Sequence, residues 1–272
     1  MRKKRKKRKN PKDNSIRNFF ASAIIVILVA YIGIATYLYI NQRKFLYFPT
    51  SDVLYTSEQK IEIVSGDITL RGWVVNQGNQ NAILYFGGNA EKPETNIVDF
   101  KELFPEHTQY IINYRGYGES DGSPSEDGIY ADAIAIYDRA AQNHNHIIVI
   151  GRSLGSGVAT YLAVNREVYK LILIEPYDCL VNIAQDIYPI FPMNLLMKDK
   201  FDSASRVADI TVPTLIIKAE FDEVIPSAST DRLVTCFYQI EPQTVIVEGA
   251  NHNNIQNYTQ YYQYLKGFIY TQ

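Results

Sequence analysis

Short runs of aliphatic and β-branched residues recur from residue 82 onward: 82–86 (AILYF), 108–113 (TQYIIN), 147–150 (IIVI), 169–174 (YKLILI), 213–218 (PTLIIK) and 243–247 (QTVIV). Most are separated by segments with helical spacing, near 94–104, 126–142, 154–166, 227–236 and 254–269. Nearly continuous apolar runs suit strands buried on both faces, and their alternation with amphipathic segments is the pattern of parallel strands covered by helices. Ahead of them, 60–64 and 68–75 flank Ser65-Gly66-Asp67 and read as a hairpin. The expected fold is α/β, an eight-stranded and mostly parallel sheet opened by an antiparallel hairpin, with helices on both faces. The connection from 175 to 212 is too long for a simple crossover and carries Tyr188-Pro189-Ile190-Phe191-Pro192-Met193, so a small cap insertion is expected over 178–212.

The first forty residues do not share this pattern. Nine of the first twelve are Lys or Arg, and Phe19 to Ile40 then runs for 22 positions without a formal charge. As a helix, that stretch is about 33 Å long, enough for a bilayer core of roughly 30 Å. A secretory signal is the competing reading, but the small-residue triplet Ala21-Ser22-Ala23 opens the apolar stretch, whereas a cleavage site would follow it. The expected organisation is a basic cytoplasmic tail over 1–18, a transmembrane anchor over 19–40 and one globular domain over 45–272. The charge excess ahead of the anchor favours a cytoplasmic N-terminus and an extracytoplasmic domain, although Arg43 and Lys44 flank the far end.

The formal charge of −2 hides two opposite parts: from residue 45 onward, 15 basic and 28 acidic side chains leave a net of about −13. No nucleic-acid partner is expected for such a domain, and a basic tail directly before a membrane helix suits anionic lipid head groups. Cys179 and Cys236 are too few for a disulfide framework and are expected as free, mostly buried thiols. His144-x-His146, without any C-x-x-C, does not make a metal site, and no metal is expected.

Gly151-Arg152-Ser153-Leu154-Gly155 matches G-x-S-x-G between a strand and a helical segment, the context of a nucleophile elbow. The alternatives are a glycine-rich packing turn or a phosphate cradle, but Gly155-Ser156-Gly157 is followed by Thr160 where a dinucleotide fingerprint needs glycine. A base for Ser153 must come from the sheet edge that holds the strand C-termini. His107, His144 and His146 precede strands, and only His252 follows one. Asp222, after the strand 213–218, is the best-placed orienting acid and gives the chain order Ser, Asp, His. Glu220, Glu223 and Asp178 are its rivals. An oxyanion hole needs two backbone N–H groups, expected from Leu154 and from Asn89 in Gly87-Gly88-Asn89-Ala90, with Ala90 the alternative.

These residues resemble the α/β-hydrolase superfamily and, within it, the membrane-anchored Bem-like and ABHD-type serine hydrolases, often classed with serine aminopeptidase-like domains. The resemblance runs from about residue 42 to the C-terminus. It includes Gln42-Arg43-Lys44-Phe45-Leu46-Tyr47-Phe48-Pro49, Asn113-Tyr114-Arg115-Gly116-Tyr117-Gly118-Glu119-Ser120 and Gly122-Ser123-Pro124-Ser125-Glu126. The chain departs from the family pattern at Gly87, where His is usual, and at Glu91, where Gly often follows the Asn-Ala pair.

The expected activity is hydrolysis of an ester, thioester or amide through an acyl-enzyme, with no cofactor. The expected partners are an acyl-containing small molecule or lipid as substrate, and the membrane. ABHD-type relatives include enzymes that deacylate cytoplasmic proteins, whereas an extracytoplasmic domain favours a lipid or small ester. An aminopeptidase would need carboxylates for a free amine, for which Glu91, Glu175 and Asp178 are candidates. The rival class is a non-catalytic binding module on the same fold, which needs none of the three triad side chains.

Overall fold

Successive side chains on a strand point to opposite faces, and here both faces are apolar. Along 82–86, Ala82, Leu84 and Phe86 enter one buried cluster while Ile83 and Tyr85 enter another; Val149 and Ile150 divide the same way. A sheet so patterned is stable only when covered on both sides.

The structure, a computed structural model, describes residues 11–51 and 58–271. In chain order it contains α1 (Pro11–Leu46), β1 (Gln59–Ser65), β2 (Ile68–Val75), β3 (Asn81–Phe86), a 3-10 turn (Pro93–Asn96) leading into α2 (Ile97–Leu103), and β4 (His107–Ile112). Next come α3 (Glu126–Ala141), β5 (His146–Arg152), α4 (Leu154–Asn165), β6 (Lys170–Ile174), and three short helices, α5 (Leu180–Ile187), α6 (Met193–Leu196) and α7 (Ser203–Val207). The chain closes with β7 (Thr214–Phe221), α8 (Ser227–Thr235), β8 (Gln243–Asn251), a 3-10 turn (Ile255–Asn257) and α9 (Thr259–Tyr270).

The strands form one eight-stranded sheet in the order β1-β2-β4-β3-β5-β6-β7-β8. The pairs β1–β2 and β2–β4 are antiparallel, and the remaining six strands run parallel. Strand β3 lies between β4 and β5, so the strand order reverses beside it, which opens a crevice at the C-terminal ends. One face is covered by α3 and α4 through Ile136, Val158 and Leu162, the other by α2 and α9 through Phe100, Tyr261 and Leu265. Helices α5 to α7 occupy the long connection after β6.

The chain divides into an N-terminal helical segment up to Gln42 and a domain from Arg43 onward. The helix over Ser15–Leu46, most of it in the first of these, is long and apolar enough to cross a membrane. Helix α1 covers Pro11–Leu46, so residues 11–18 of the expected tail are helical; residues 1–10 lie outside the described residues. At the start of the domain, the Arg43 guanidinium donates to both carboxylate oxygens of Asp199, at 2.8 and 3.1 Å. Cys179 and Cys236 are free and half-buried, less enclosed than their residue type suggests.

Tight packing of α4 against the strand ends makes a testable contrast between two helical glycines. A Cβ at Gly155 would collide with the carbonyl groups of Phe86 and Gly87, whereas one at exposed Gly267 would meet nothing. Gly155→Ala is expected to destabilise the fold by about 1–3 kcal/mol or more. Gly267→Ala should stabilise it by up to about 1 kcal/mol. Urea unfolding followed by circular dichroism tests both.

Candidate active site

Strand β5 ends in a turn that no ordinary residue favours. Ser153 has φ 49° and ψ −116°, a conformation that costs about 1–3 kcal/mol and is kept only where surroundings impose it. Its N–H donates to the Ile174 carbonyl on β6 at 2.8 Å, and its carbonyl accepts from the N–H and the hydroxyl of Ser156, at 2.9 and 2.6 Å. Glycine is required on both sides, because a Cβ at Gly151 would strike the Gly155 carbonyl and the Ala159 side chain. The elbow holds the Ser153 side chain at the C-terminal edge of the sheet, where the residue is 8% exposed.

His252 follows β8 and is itself buried, at 7% exposure. Its Nε2 lies 3.0 Å from Ser153 Oγ, and its Nδ1 lies 2.8 Å from Asp222 Oδ2. A carboxylate only accepts, so Nδ1 carries the proton and donates to Asp222, which leaves Nε2 free to accept from the serine hydroxyl. The other oxygen of Asp222 accepts from the N–H groups of Val224 and Ile225, at 2.9 and 2.7 Å, and this fixes the carboxylate plane. The structure thus brings Ser153, His252 and Asp222 together in one hydrogen-bonded line.

The rival acids have other partners. Asp178 is held by Ser229, Asn182 and Arg232; Glu220 accepts from the Gly249 N–H; Glu223 accepts from the His252 backbone N–H at 3.4 Å. His107, His144 and His146 lie at the opposite edge, where His107 and His146 both pair with Asn81 at the start of β3. The imidazole, Asp222 and Glu175 bring ligand-type atoms within 4.8 Å of one another, but both imidazole nitrogens already have protein partners.

The two expected backbone donors lie on segments that adjoin Ser153. Leu154 is the first residue of α4, where helix N–H groups have no intrahelical acceptor and the helix dipole favours negative charge. The loop after β3 packs on the elbow, with a Cβ position on Gly88 only 3.5 Å from Ser153 Cβ. Asn89 is anchored by its side chain, which accepts from the Phe48 N–H and the Tyr117 hydroxyl and donates to the Leu46 carbonyl, at 3.0, 2.8 and 2.5 Å. Among the described residues, neither the Leu154 nor the Asn89 backbone N–H has a protein acceptor. Ala90 is exposed, in a left-handed conformation at φ 58°. Tyr114 donates to the Gly87 carbonyl at 2.7 Å and so orients the loop from below.

A buried charge cluster that sequence reasoning did not assemble supports these loops. Arg152 contacts Glu91 and Glu175, each at 3.3 Å, and donates to the His252 carbonyl at 2.6 Å. Burial raises the Glu91 carboxyl, but Arg152 and hydrogen bonds from Tyr85, Gly88 and Asn96 override it and hold the group below the ordinary carboxylate range. Arg152 is disfavoured as a cation by burial, yet Glu91 and Glu175 raise it above the usual arginine value. Burial pushes Glu175 up to about 7, reinforced by Asp222, against the pull of His252 and Arg152. The available sequence signal was Arg152 itself, since a cation beside a buried elbow needs a carboxylate partner.

No protein-family model matches the chain. Two uncharacterized proteins from Mycobacterium tuberculosis strains are each 31% identical over 246 residues, spanning 85% of this chain and 86% of theirs. Alpha/beta hydrolase domain-containing protein 17B of Xenopus laevis is 35% identical over 167 residues, 59% of this chain and 55% of its own length. Among solved structures, the Pyrococcus furiosus esterase Pf2001 superposes with a TM-score of 0.68 at 17% identity, over 82% of this chain and 98% of that one. Mouse alpha/beta hydrolase domain-containing protein 10 gives 0.65 at 15% identity, over 78% and 96%. The chain belongs to the α/β-hydrolase superfamily and is of the ABHD type.

Glu175 yields a stability prediction with a definite sign. Its carboxyl is raised to about 7 in the fold from an ordinary 4.5, so its contribution is complete below about 4.5 and is lost as pH rises through 7. Glu175→Gln removes that dependence. Between pH 5 and pH 8 the variant should gain roughly 2–3 kcal/mol relative to wild type. Denaturant midpoints at the two pH values measure the difference.

Proposed function

We propose that this chain is a membrane-anchored serine hydrolase that cleaves an acyl ester or thioester through a covalent acyl-enzyme. The observation that carries the reading is the continuous line Ser153–His252–Asp222, with hydrogen-bond distances of 3.0 and 2.8 Å on the two imidazole nitrogens. The hydroxyl attacks the substrate carbonyl while its proton passes to Nε2, and Asp222 holds the imidazolium that forms. The N–H groups of Leu154 and Asn89 receive the charge that develops on the carbonyl oxygen. The imidazolium then protonates the leaving group, and water, activated by the same nitrogen, releases the acid and restores the serine.

Carboxylate engagement argues for an ester or thioester over an aminoacyl amide. Of the candidates for recognising a free amine, Glu91 is taken by Tyr85, Gly88, Asn96 and Arg152, and Asp178 by Ser229, Asn182 and Arg232. Glu175 is buried. The connection after β6 exposes apolar side chains, with Ile190 71% and Leu195 75% accessible, which suits a lipid or other acyl-chain substrate. The relatives named as an esterase and as alpha/beta hydrolase domain-containing proteins are consistent with this chemistry. The basic N-terminus favours a cytoplasmic tail with the hydrolase domain on the other side of the membrane.

A fluorophosphonate probe should label the wild-type protein and not Ser153→Ala, with circular dichroism showing that both fold. Lack of labelling of folded wild type would mean that the fold serves binding instead. A panel of p-nitrophenyl esters and thioesters of increasing chain length should show a preference for longer acyl groups. For the orientation, alkaline phosphatase fused after residue 272 should be active in cells, and an inactive fusion would reverse the topology.

A further inference from the structure

The triad reading leaves one buried acid beside the imidazole without a task. Glu175 directly follows β6 with φ 50°, in the left-handed region, and is 1% exposed. Its N–H donates to the Ile217 carbonyl on β7 at 2.7 Å, which aims the side chain across the ends of the central strands. Glu175 Oε2 lies 3.6 Å from His252 Nδ1, the nitrogen that Asp222 contacts at 2.8 Å, and 3.3 Å from Arg152 Nε. Its second oxygen has no partner among the described residues. Burying a half-satisfied carboxyl and straining its backbone are both unfavourable. Salt bridging of Arg152 does not account for them, because Glu91 already neutralises that cation.

We propose that Glu175 is a second acid for His252: a positioning residue that shares the Nδ1 side of the ring with Asp222 and stabilises the imidazolium. The proposal rests on Ser153, His252 and Asp222 acting as a triad. During attack the serine proton moves to Nε2 and later to the leaving group. The Nδ1 proton stays on the ring throughout, between Asp222 and Glu175. No proton need reach Glu175; its carboxylate form supplies a second negative charge where the ring becomes positive.

The groups that set the charge of Glu175 are His252 after β8, Arg152 from β5 and Asp222 after β7, with Glu91 holding the far side of Arg152 and Tyr261 of α9 itself raised by burial and by Glu175. Burial raises the carboxyl to about 7, so it is neutral in acid and charged above neutrality. Activity should therefore contain a rise that follows the ionisation of Glu175, and that component should vanish when residue 175 cannot ionise.

The test uses the full chain in detergent, with rates of alkyl fluorophosphonate labelling and p-nitrophenyl ester hydrolysis read from pH 5.5 to 9. Wild type should climb more steeply with pH than Glu175→Gln. Glu175→Gln should lack the rise near pH 7 and reach a plateau about three- to tenfold lower in kcat, with KM unchanged. In a second background, Asp222→Ala should keep at least about tenfold more activity than Asp222→Ala/Glu175→Gln. Thermal melts accompany each variant, and because Asp222→Ala removes the acceptor for Val224 and Ile225, the single Glu175→Gln profile stands as an independent measurement. A Glu175→Gln profile that superposes on wild type in shape and plateau overturns the role of Glu175 while leaving the triad intact. Folded wild type that is not labelled, or labelling that persists in Ser153→Ala, overturns the triad and this proposal with it.

Discussion

The strained backbone at Ser153 is the point to which the other parts of the site are referenced. A residue with φ 49° and ψ −116° relaxes unless neighbouring groups leave it no other conformation. Here its N–H is committed to β6 and its carbonyl to Ser156, while glycines at 151 and 155 let α4 sit against β5 and under the end of β3. Relaxing the turn would break those bonds and expose buried apolar surface between α4 and the sheet. The strain is thus held by the same packing that gives the domain its core, and the backbone brings the serine hydroxyl to within reach of His252.

The second requirement is that loops from four strand ends keep their relative positions. Backbone hydrogen bonds end where the strands end, so the tips need another tie. Arg152 supplies it: one guanidinium contacts Glu91 after β3, Glu175 at the end of β6 and the His252 carbonyl after β8, and it is itself part of the elbow after β5. Water is largely excluded, so each contact is stronger than at a surface, and an unpaired member would be correspondingly unfavourable. One cation among two carboxyls cannot satisfy both fully. The imbalance falls on Glu175, whose carboxyl rises to about 7, while Glu91 stays below the ordinary range.

Much of this architecture was legible in the sequence because it depends on local pattern. Unbroken Val/Ile/Leu runs marked the strands, Ser65-Gly66-Asp67 marked the hairpin, and G-x-S-x-G between strand and helix marked the elbow. His252 could be chosen because position before or after a strand decides which sheet edge a loop occupies. The nearness of Glu175 to His252 could not be read that way. It follows from the lateral order β5-β6-β7-β8 and from a φ of 50° at one residue, neither of which leaves a trace in local composition. In sequence, Glu175 is one acid among several near strand ends. In space it lies beside the imidazole, whereas Asp178, three residues on, is bound by Ser229, Asn182 and Arg232 instead.

The two departures from the family pattern, Gly87 and Glu91, are explained by one another. A Cβ on Gly87 would sit 3.3 Å from the Glu91 carboxyl carbon, so a side chain at 87 would compete for the space that the carboxylate fills. Glu91 uses that space to accept from the Gly88 N–H at 2.6 Å, while Tyr114 holds the Gly87 carbonyl from the other side. With Gly88 committed, Asn89 is the next N–H along the loop, and its side chain is tied to residues 46–48. A carboxylate buried in this position is tolerable only with a cation beside it, and Arg152 of the elbow is that cation. Glycine at 87, the acid at 91 and an arginine next to the nucleophile therefore form one mutually dependent arrangement, in which the loop after β3 is joined to the elbow by charge.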